Sequence, residues 1–225
     1  MLVRSWNLFH GRTHPIGPTL HLREMVELVT ADAPDVVCLQ ELPLWSLGEL
    51  EEWSGMRAFS EVTRYPLVPR ALGRVLQRLE PRLFRSGITG QANGILVARQ
   101  YTVHEHDWVR VSERGRFRRR VCHAVRLDGL VIGNVHATNE FRRTDVPRAE
   151  LRRAHAFVDG LALRGEARIL AGDFNLRAPE LPGPNIDHIV VAGSPHGPLI
   201  VWPLERRVQN GRVLSDHAPV EVTIG

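Results

Sequence analysis

The stretch Arg168-Ile-Leu-Ala-Gly-Asp-Phe-Asn175 is an apolar, strand-like run that ends in a small residue, a carboxylate and, two positions later, an amide. Residues two apart on an extended backbone point the same way, so Asp173 and Asn175 are expected to face one point at the end of a sheet. That geometry suits holding a water molecule beside a phosphate. The alternative is a strand followed by an Asx-type turn, in which Asp and Asn bond to the local backbone.

The same pattern recurs along the chain, because polar groups accompany five other strand-like segments. They occur in Trp6-Asn7, Leu39-Gln40-Glu41, Val135-His136 with Asn139 three residues later, Ile186-Asp187-His188 and Ser215-Asp216-His217. Each group taken singly fits a turn residue, a surface acid or a hydrogen-bonded interior histidine. Together they are the groups that hydrolysis of a phosphate ester needs, since developing charge must be neutralised and the leaving oxygen stabilised or protonated.

The oxygen-bearing groups predict a metal site and a base. Glu41, the amide oxygen of Asn7 and Asp216 are expected to hold Mg²⁺ or Mn²⁺, which prefer hard oxygen ligands. Asp173 is expected to accept a proton from the attacking water, and Asn175 to orient that water or a phosphate oxygen.

The nitrogen-bearing groups predict contacts with the phosphate. A hydrogen bond from the His217 imidazole to the Asp187 carboxylate would favour the cationic form of His217, which could then bind a negatively charged phosphate. His136 and Asn139 are expected to donate to the phosphate or to the leaving oxygen. Cys38 and Cys122 lie inside apolar segments and are predicted to be reduced core residues, which disfavours a soft-metal site.

Length and composition limit the class of protein. A chain of 225 residues fits one large domain or two small ones, and motifs near both ends favour a single domain over residues 1–225. A hydrophobic content of 43% with 24% charged residues is typical of a globular protein with a sizeable core, so disorder is not expected. The chain opens directly on strand-like residues and has no apolar stretch long enough to span a bilayer, so a cytoplasmic location is expected.

Hydrophobic periodicity predicts an α/β fold. A strand over Leu2–Leu8, an amphipathic helix ending before Pro34 and a strand over Val36–Leu39 form the opening. A short helix near Leu47–Trp53, a Pro-rich turn and a helix over Arg70–Phe84 follow. The remaining predicted elements are strands at 94–98, 101–111, 120–127 and 130–136, a helix at 145–163, and strands at 168–171, 186–192 and 218–224, with Asp128-Gly129 as a hairpin turn.

Every basic side chain other than histidine is arginine, and the formal net charge is +4. The predicted helix over Arg70–Phe84 has an apolar face and an arginine every fourth residue (Arg70, Arg74, Arg78 and Arg82). A basic hairpin at 114–120 and further arginines at 142, 143, 148, 152 and 153 suit contacts with nucleic acid phosphates. Alternatively, these runs are solvated surface, or the helix with Trp45 and Trp53 faces a membrane.

Taken in order, the polar segments resemble the endonuclease/exonuclease/phosphatase superfamily over nearly the whole chain, with Gly172-Asp173-Phe174-Asn175 and Ser215-Asp216-His217 the most specific. The resemblance implies a four-layer α/β/β/α sandwich of two packed mixed sheets, with a divalent metal at one end of the sheets. It also implies Glu41 as principal metal ligand with Asn7 nearby, Asp173 and Asn175 at the attacking water, and the Asp187–His217 pair at the phosphate.

Two details narrow the resemblance. His136 is similar to the histidine of pancreatic-type deoxyribonucleases, whereas abasic-site nucleases usually have a tyrosine there. Pancreatic-type enzymes pair this histidine with a glutamate, where this chain has the neutral residues Gln91 and Asn93. The stretch 45–90 has no recognised counterpart, so the resemblance implies a reaction class and leaves the substrate open.

The sequence therefore predicts a Mg²⁺- or Mn²⁺-dependent hydrolase of phosphate esters, foremost a phosphodiesterase or nuclease acting on nucleic acid. One alternative is a phosphatase or phosphodiesterase acting on a phospholipid head group, an inositol phosphate or another small phosphoester. An alternative from another class is a non-catalytic protein that binds an anionic ligand through its arginines.

Overall fold

The computed structural model describes residues 1–81, 83–84, 86–113, 119–140, 143–176 and 186–225. Its strands are β1 (Leu2–Asn7), β2 (Thr13–His14), β3 (Val36–Leu42), β4 (Arg57–Arg64), β5 (Gln91–Val97), β6 (Glu105–Arg110), β7 (Val121–Leu127), β8 (Leu130–His136), β9 (Ala167–Asp173), β10 (Asp187–Ala192), β11 (Ile200–Val201), β12 (Val208–Gln209), β13 (Arg212–Leu214) and β14 (Val220–Thr223). Its α-helices are α1 (Leu22–Thr30), α2 (Leu50–Ser54), α3 (Arg70–Leu79), α4 (Ser86–Thr89) and α5 (Asp145–Leu161). Short 3-10 helices cover Phe9–Gly11, Leu44–Glu49 and Leu204–Arg207.

Two large mixed sheets form the centre of the fold. The first has the strand order β11-β14-β1-β3-β5-β4, and the second has the order β10-β9-β8-β7-β6. Each contains one parallel pair, β1 with β3 and β8 with β9, while the other pairs within these two sheets are antiparallel. A small sheet, β12-β13-β2, lies beside them.

Three apolar cores separate four layers. Residues such as Val36 on the first sheet and Ile132 on the second fill the space between the sheets. On the outer face of the first sheet, Trp6 and Leu39 pack with Met25 of α1. On the outer face of the second, strand residues pack with one face of α5. Because side chains alternate along a strand, each strand supplies both an inner and an outer core. The predicted four-layer α/β/β/α sandwich is confirmed.

Several local predictions are also confirmed. The Asp128-Gly129 turn joins β7 to β8, with Leu127 opposite Leu130, and Gly129 has a φ of 76°. Such a turn needs a residue that tolerates positive φ. Both cysteines are buried and free, and burial raises the pKa of each thiol.

Three regions differ most from the predictions, while several other elements differ by a few residues at their ends. The strand predicted at 101–111 begins only at Glu105, because the Tyr101 hydroxyl donates to Asp35 (2.7 Å) and holds the preceding segment against the first sheet. Strand β4 lies in the segment where a Pro-rich turn was predicted. Its eight residues are mostly half-buried, and their sequence does not alternate strongly between apolar and polar residues, so the strand has no clear sequence pattern. The helix predicted over Arg70–Phe84 ends at Leu79.

The buried face of α3 is not its apolar face. Its apolar residues share one face of the helix, but Gly73 and Gln77 are the buried ones. Gln77 accepts a hydrogen bond from the Trp45 indole (2.6 Å) and donates to Thr89 (2.7 Å). These polar contacts turn the apolar side chains outward, and Leu72, Val75, Leu79 and the following Leu83 are exposed.

No helix in the described ranges is long and apolar enough to cross a membrane. Of the arginine clusters, positions 82, 114–118 and 142 lie outside the described residues. Arg74 pairs with Glu49 (2.7 Å), while Arg70 and Arg78 are exposed.

Candidate active site

The two parallel strand pairs bring their C-terminal ends together at one end of the sandwich. Asn7 ends β1, and its side-chain amide donates to Oδ2 of Asp173 at the end of β9 (3.0 Å). This contact joins the two sheets across the inner layer. Gln40 and Asn134 repeat the arrangement beneath it, with Gln40 Nε2 donating to Asn134 Oδ1 (2.8 Å). The strand-end polar groups of both sheets therefore converge because they share the inward-facing phase of the alternation.

The Gly172-Asp173-Phe174-Asn175 segment forms the local Asx-type turn, and its carboxylate also contacts the end of β1. Oδ1 of Asp173 accepts the Asn175 backbone N–H (3.0 Å), which is the local turn. Oδ2 of the same carboxylate faces the Asn7 amide, so one side chain serves the backbone and the site together. Asn175 has a φ of 50° and donates its amide to the Ala137 carbonyl (3.0 Å), which ties the turn to the end of β8.

Gly172 is required by its close approach to β8. Its φ is 140°, and a Cβ built on it would lie 1.8 Å from the Val135 carbonyl oxygen. Only glycine therefore fits at this position.

His136 lies opposite Asp173 in the parallel register of β8 and β9. Its Nε2 is 3.4 Å from Asp173 Oδ2, and its Nδ1 is 3.4 Å from Gln91 Nε2. Of the two neutral residues noted in the sequence, Gln91 is the one next to this histidine. A neutral amide leaves Asp173 as the nearer charge to this histidine.

His217 is held by Asp187 and by a rigid loop. Its Nδ1 is 2.8 Å from Asp187 Oδ2, and its Nε2 is 4.0 Å from Asp173 Oδ2. The Ser215 hydroxyl donates to the Asn7 carbonyl (2.6 Å) and accepts the His217 N–H (3.1 Å). These contacts fix the loop to the end of β1.

The main chain of this loop is also an acceptor for two long side chains. The Trp6 indole donates to the His217 carbonyl (3.0 Å). Nη1 of Arg207 donates to the carbonyls of Ser215 and His217, each at 3.1 Å. The imidazole consequently has little freedom to leave the site.

Burial and like charge shift the titration of these groups. Burial, together with the Asp187 carboxylate, raises the pKa of Asp173, although the His217 charge and the Asn7 hydrogen bond oppose this shift. Burial acts to lower the pKa of His217, but the hydrogen bond and charge of Asp187, with further carboxylates, raise it to about 10. The site therefore holds an imidazolium at neutral pH beside a carboxyl that is a stronger base than usual.

Glu41 sits at an irregularity of β3, between its pairings at Leu39 and Leu42, with a φ of 59°. Its Oε2 is 3.1 Å from Nε2 of His10. The Glu41 charge contributes to the raised pKa of both Asp173 and Asp216. Glu41 is therefore close enough to Asp173 and Asp216 for its charge to act on both carboxyl groups.

The site residues predicted from the sequence differ in how directly they contact one another. Asn7, His136, Asp173, Asn175, Asp187 and His217 are linked by direct contacts. Asp216 stands next to them, with Oδ1 at 3.9 Å from His217 Nε2, and its pKa is raised mainly by burial. Asn139 is exposed on the loop after β8. Their assignment to catalysis, metal and phosphate stays a prediction.

Three contributors were not singled out from the sequence. His10 pairs with Glu41, Arg207 holds the His217 loop, and buried Glu150 accepts hydrogen bonds from the backbone N–H (2.6 Å) and hydroxyl (2.7 Å) of Thr138. For Glu150 a signal exists, since a carboxylate on the apolar face of α5 needs a buried partner. His10 and Arg207 carry no comparable local signal.

The donor set fits a hard divalent cation. A carboxylate oxygen of Asp173 and one of Asp187 lie within 4.8 Å of each other and of the His217 ring, which as an imidazolium does not itself bind a cation. Glu41 and Asp216 add two carboxylates to the cleft, and the mutual repulsion of these acids contributes to the raised pKa values. A bound cation would offset this repulsion. Asn7 Oδ1 accepts the Phe9 N–H (3.1 Å) and keeps a second lone pair for a metal.

The family model described as "Endonuclease/Exonuclease/phosphatase family" matches residues 5–217. The chain belongs to this family. Family membership supports a phosphoesterase, and enzymes of the family are generally dependent on divalent metals. The matched range includes the segments from Trp6-Asn7 to Ser215-Asp216-His217, so the recognised resemblance is confirmed.

Solved structures share the fold at low sequence identity. A functionally unknown conserved protein from Enterococcus faecalis V583 has a TM-score of 0.72 at 14% identity, covering 100% of this chain and 99% of its own. A humanized D. rerio TDP2 has a TM-score of 0.70 at 18% identity, with 100% and 98% covered. The mannosyl-6-phosphatase Bt3783 of Bacteroides thetaiotaomicron has a TM-score of 0.66 at 15% identity, with 100% and 99% covered. No curated protein sequence matches the chain.

Proposed function

We propose that this family member is a Mg²⁺- or Mn²⁺-dependent phosphodiesterase that cleaves nucleic acid by attack of water on phosphorus. One observation carries the proposal: atoms of Asp173, His217 and Asp187 lie within 4.8 Å of one another, close enough to Glu41 for its charge to act on Asp173. Phosphoester hydrolysis requires a proton acceptor, a positively charged group for the phosphate and hard oxygen ligands for a metal, all close together. Asp173, protonated His217 and the neighbouring carboxylates are groups of these kinds.

The chain's own side chains have separable roles in this scheme. Asp173 takes the proton of the attacking water, and its raised pKa makes it a better base near neutral pH. Asn175 and Asn7 orient the water and the Asp173 carboxylate. Asp187 keeps His217 protonated, so that its Nε2–H donates to a phosphate oxygen as negative charge grows.

The remaining residues complete the site. His136, between Gln91 and Asp173, donates to the phosphate or the leaving oxygen, and Asn139 assists from the loop that follows. Glu41, Asn7 and Asp216 would hold the metal, which when bound supplies a Lewis acid for the phosphate oxygens. Nucleic acid is favoured as substrate because the net charge is +4 and exposed Arg148, Arg152 and Arg153 belong to α5, the helix after the His136 loop.

The reaction class is tested with wild type and Asp173→Ala side by side. Plasmid DNA, RNA, inositol phosphates and bis(4-nitrophenyl) phosphate are incubated with Mg²⁺ or Mn²⁺, and a chelator serves as the control for metal dependence. We expect metal-dependent cleavage of DNA or RNA by wild type alone. Cleavage of only the generic diester would remove the nucleic acid assignment, and equal cleavage by Asp173→Ala would remove the base.

A second candidate is hydrolysis of a phospholipid head group. The exposed apolar side chains of α3 and its flanks, with Leu67 79% and Leu79 74% exposed, lie near exposed Arg70 and Arg78. Apolar residues flanked by arginines are typical of helices at an anionic membrane surface. Sedimentation with phosphatidylserine vesicles, using Leu79→Ser against the control Leu163→Ser at another exposed leucine, tests this candidate.

A non-catalytic anion-binding protein is the third possibility. Binding of DNA or vesicles without metal-dependent cleavage of any phosphoester would favour it over both enzymatic proposals.

A further inference from the structure

A cavity of about 370 Å³ opens beside the candidate active site. It lies within the size range of small-ligand pockets, roughly 300–1,000 Å³. Two of its lining residues, Glu41 and Gln91, belong to the site already described. Through Gln91 the cavity reaches His136, whose Nδ1 is 3.4 Å away, and His10 on its wall pairs with Glu41. A molecule whose phosphate occupied the site would extend into this cavity.

The cavity is lined by guanidinium groups. Four arginines contribute to its wall, namely Arg12, Arg64, Arg119 and Arg120. Glu41 is the one carboxylate among the described residues that line it. Because we assign Glu41 to the metal, its negative charge would be neutralised by the bound cation. Among the described residues that line the cavity, guanidinium groups therefore outnumber carboxylates, even when Glu61, the partner of Arg119, is counted.

These arginines are built into the fold. Arg12 is 2% exposed and Arg120 7% exposed. Arg12 donates to the Phe84 carbonyl (3.2 Å), and Arg119 pairs with Glu61 (2.9 Å) and donates to the Val62 carbonyl. Guanidinium groups held in this way lose little freedom on binding and match the oxygen geometry of phosphate.

Part of the wall comes from a region without a recognised counterpart in the family resemblance. Thr63 and Arg64 end β4, and Ser86 and Gly87 begin α4, all within residues 45–90. Arg64 lies against Gly87, where a built Cβ would be 3.4 Å from its Nη2. The cavity thus combines site residues with a stretch that the resemblance leaves unmatched.

We infer that this arginine-lined cavity binds a second phosphate of the substrate, next to the one that is cleaved. This inference rests on the proposed function and narrows the substrate to molecules with at least two neighbouring phosphates. A nucleic acid strand and an inositol polyphosphate share this chemistry. A diester with a single phosphate, such as bis(4-nitrophenyl) phosphate, lacks the group that the arginines would hold.

The kinetic test uses Arg64→Gln, with Arg23→Gln as a matched control that removes the same charge from the exposed surface of α1. With a short oligonucleotide and with an inositol polyphosphate as separate substrates, we expect Arg64→Gln to raise KM about tenfold at similar kcat for whichever is cleaved. KM for bis(4-nitrophenyl) phosphate should stay within about twofold for both variants. An equal effect on all substrates, or none on any, would overturn the inference.

A binding test separates this inference from the proposed function. Pyrophosphate is titrated calorimetrically into metal-free wild type, Arg64→Gln, Arg119→Gln and Arg23→Gln, after circular dichroism has shown that each is folded. Weaker binding by Arg64→Gln and Arg119→Gln, but not by Arg23→Gln, supports the cavity even if no phosphoester is hydrolysed. Equal binding by all four proteins overturns it even if hydrolysis is observed.

Discussion

Nδ1 of His217 lies 2.8 Å from Oδ2 of Asp187, a residue thirty positions earlier that pairs with Asp173 in the register of β10 and β9. The contact orients the imidazole so that its other nitrogen faces Asp173. Asp187 itself keeps only one oxygen in this contact, and its buried Oδ1 has no hydrogen-bond partner among the described residues. The pair thus combines a positively charged imidazole with a carboxylate oxygen that is available for a further contact.

Replacement of Asp187 by Asn should separate the effect of the Asp187 charge from the effect of its hydrogen bond to His217. Asp187→Asn keeps a hydrogen-bonding oxygen for His217 but removes the carboxylate that raises its pKa. We expect kcat on bis(4-nitrophenyl) phosphate to fall by roughly 10²- to 10⁴-fold, the range typical of a lost acid–base group. Asp107→Asn, at an exposed position on β6, is the control. Unchanged kcat in Asp187→Asn would contradict the assigned role.

The same pair should make stability depend on pH in a defined direction. The folded-state pKa of His217, about 10, lies above the ordinary value of 6.5. Its contribution to stability is therefore complete below pH 6.5 and is lost as the pH rises through 10. Urea unfolding of metal-free protein at a series of pH values measures this loss. The decline should be shallower in Asp187→Asn, and identical profiles would count against the pair.

Metal binding should stabilise the folded protein through Glu41. A ligand that binds only the native state adds about 2.7 kcal/mol at one hundred times its Kd. We expect Mg²⁺ or Mn²⁺ to raise Tm in wild type and to have little effect on Glu41→Gln, with Glu52→Gln on the exposed face of α2 behaving as wild type. A Tm increase of equal size in Glu41→Gln would show that the principal ligand lies elsewhere.

Gly172 gives a prediction about folding stability that does not depend on the proposed hydrolysis reaction. In Gly172→Ala the new methyl would meet the Val135 carbonyl oxygen at 1.8 Å, and the backbone at φ 140° disfavours any side chain. We expect a loss of about 3 kcal/mol or more in the free energy of unfolding, or failure to fold. Gly160→Ala on α5 is the matched control, because nothing lies within 4 Å of its Cβ position. A Gly172→Ala protein as stable as wild type would contradict the close approach of β9 to β8.

The strand-end pattern predicted the convergence of Asn7, His136 and Asp173 because alternation along a strand is a local property. Two parallel strand pairs then bring ends of the same polarity together, and side chains of the same phase point into the same layer. The α/β character followed in the same way from apolar runs and the helices between them, whereas the four-layer sandwich was implied by the family resemblance. These features depend on neighbours in sequence, so a single sequence contains them.

Other features depend on contacts between distant segments and left no local signal. Strand β4 is defined by its pairing with β5, and its own residues alternate weakly. The orientation of α3 is set by Gln77, which bonds to Trp45 and Thr89 and thereby leaves apolar residues exposed. Arg207 reaches the His217 loop through side-chain length alone. The arginine-lined cavity, which joins five separated segments, was likewise not predictable from the sequence.

A buried histidine between the sheets predicts the acid sensitivity of the fold. His123 is fully buried; its Nε2 is 3.4 Å from the Asn134 amide and its Nδ1 is 3.3 Å from His106 Nε2. Burial lowers the pKa of His123 to about 3, with a smaller contribution from the nearby His106. The neutral ring is therefore part of the native core, and the unfolded chain takes up a proton at higher pH than the folded chain does.

The sign of the effect follows from that difference. As the pH falls below 6.5 the unfolded state binds the His123 proton and the native state does not, so this group lowers stability by about 1.4 kcal/mol per pH unit until the folded pKa near 3 is reached. Urea unfolding between pH 6.5 and 5 measures the slope above most carboxylate titrations. His123→Gln should reduce the slope of the unfolding free energy against pH by the contribution of nearly one proton. His196→Gln, at an exposed position, should leave the slope unchanged. An undiminished slope in His123→Gln would show that another group controls the acid response.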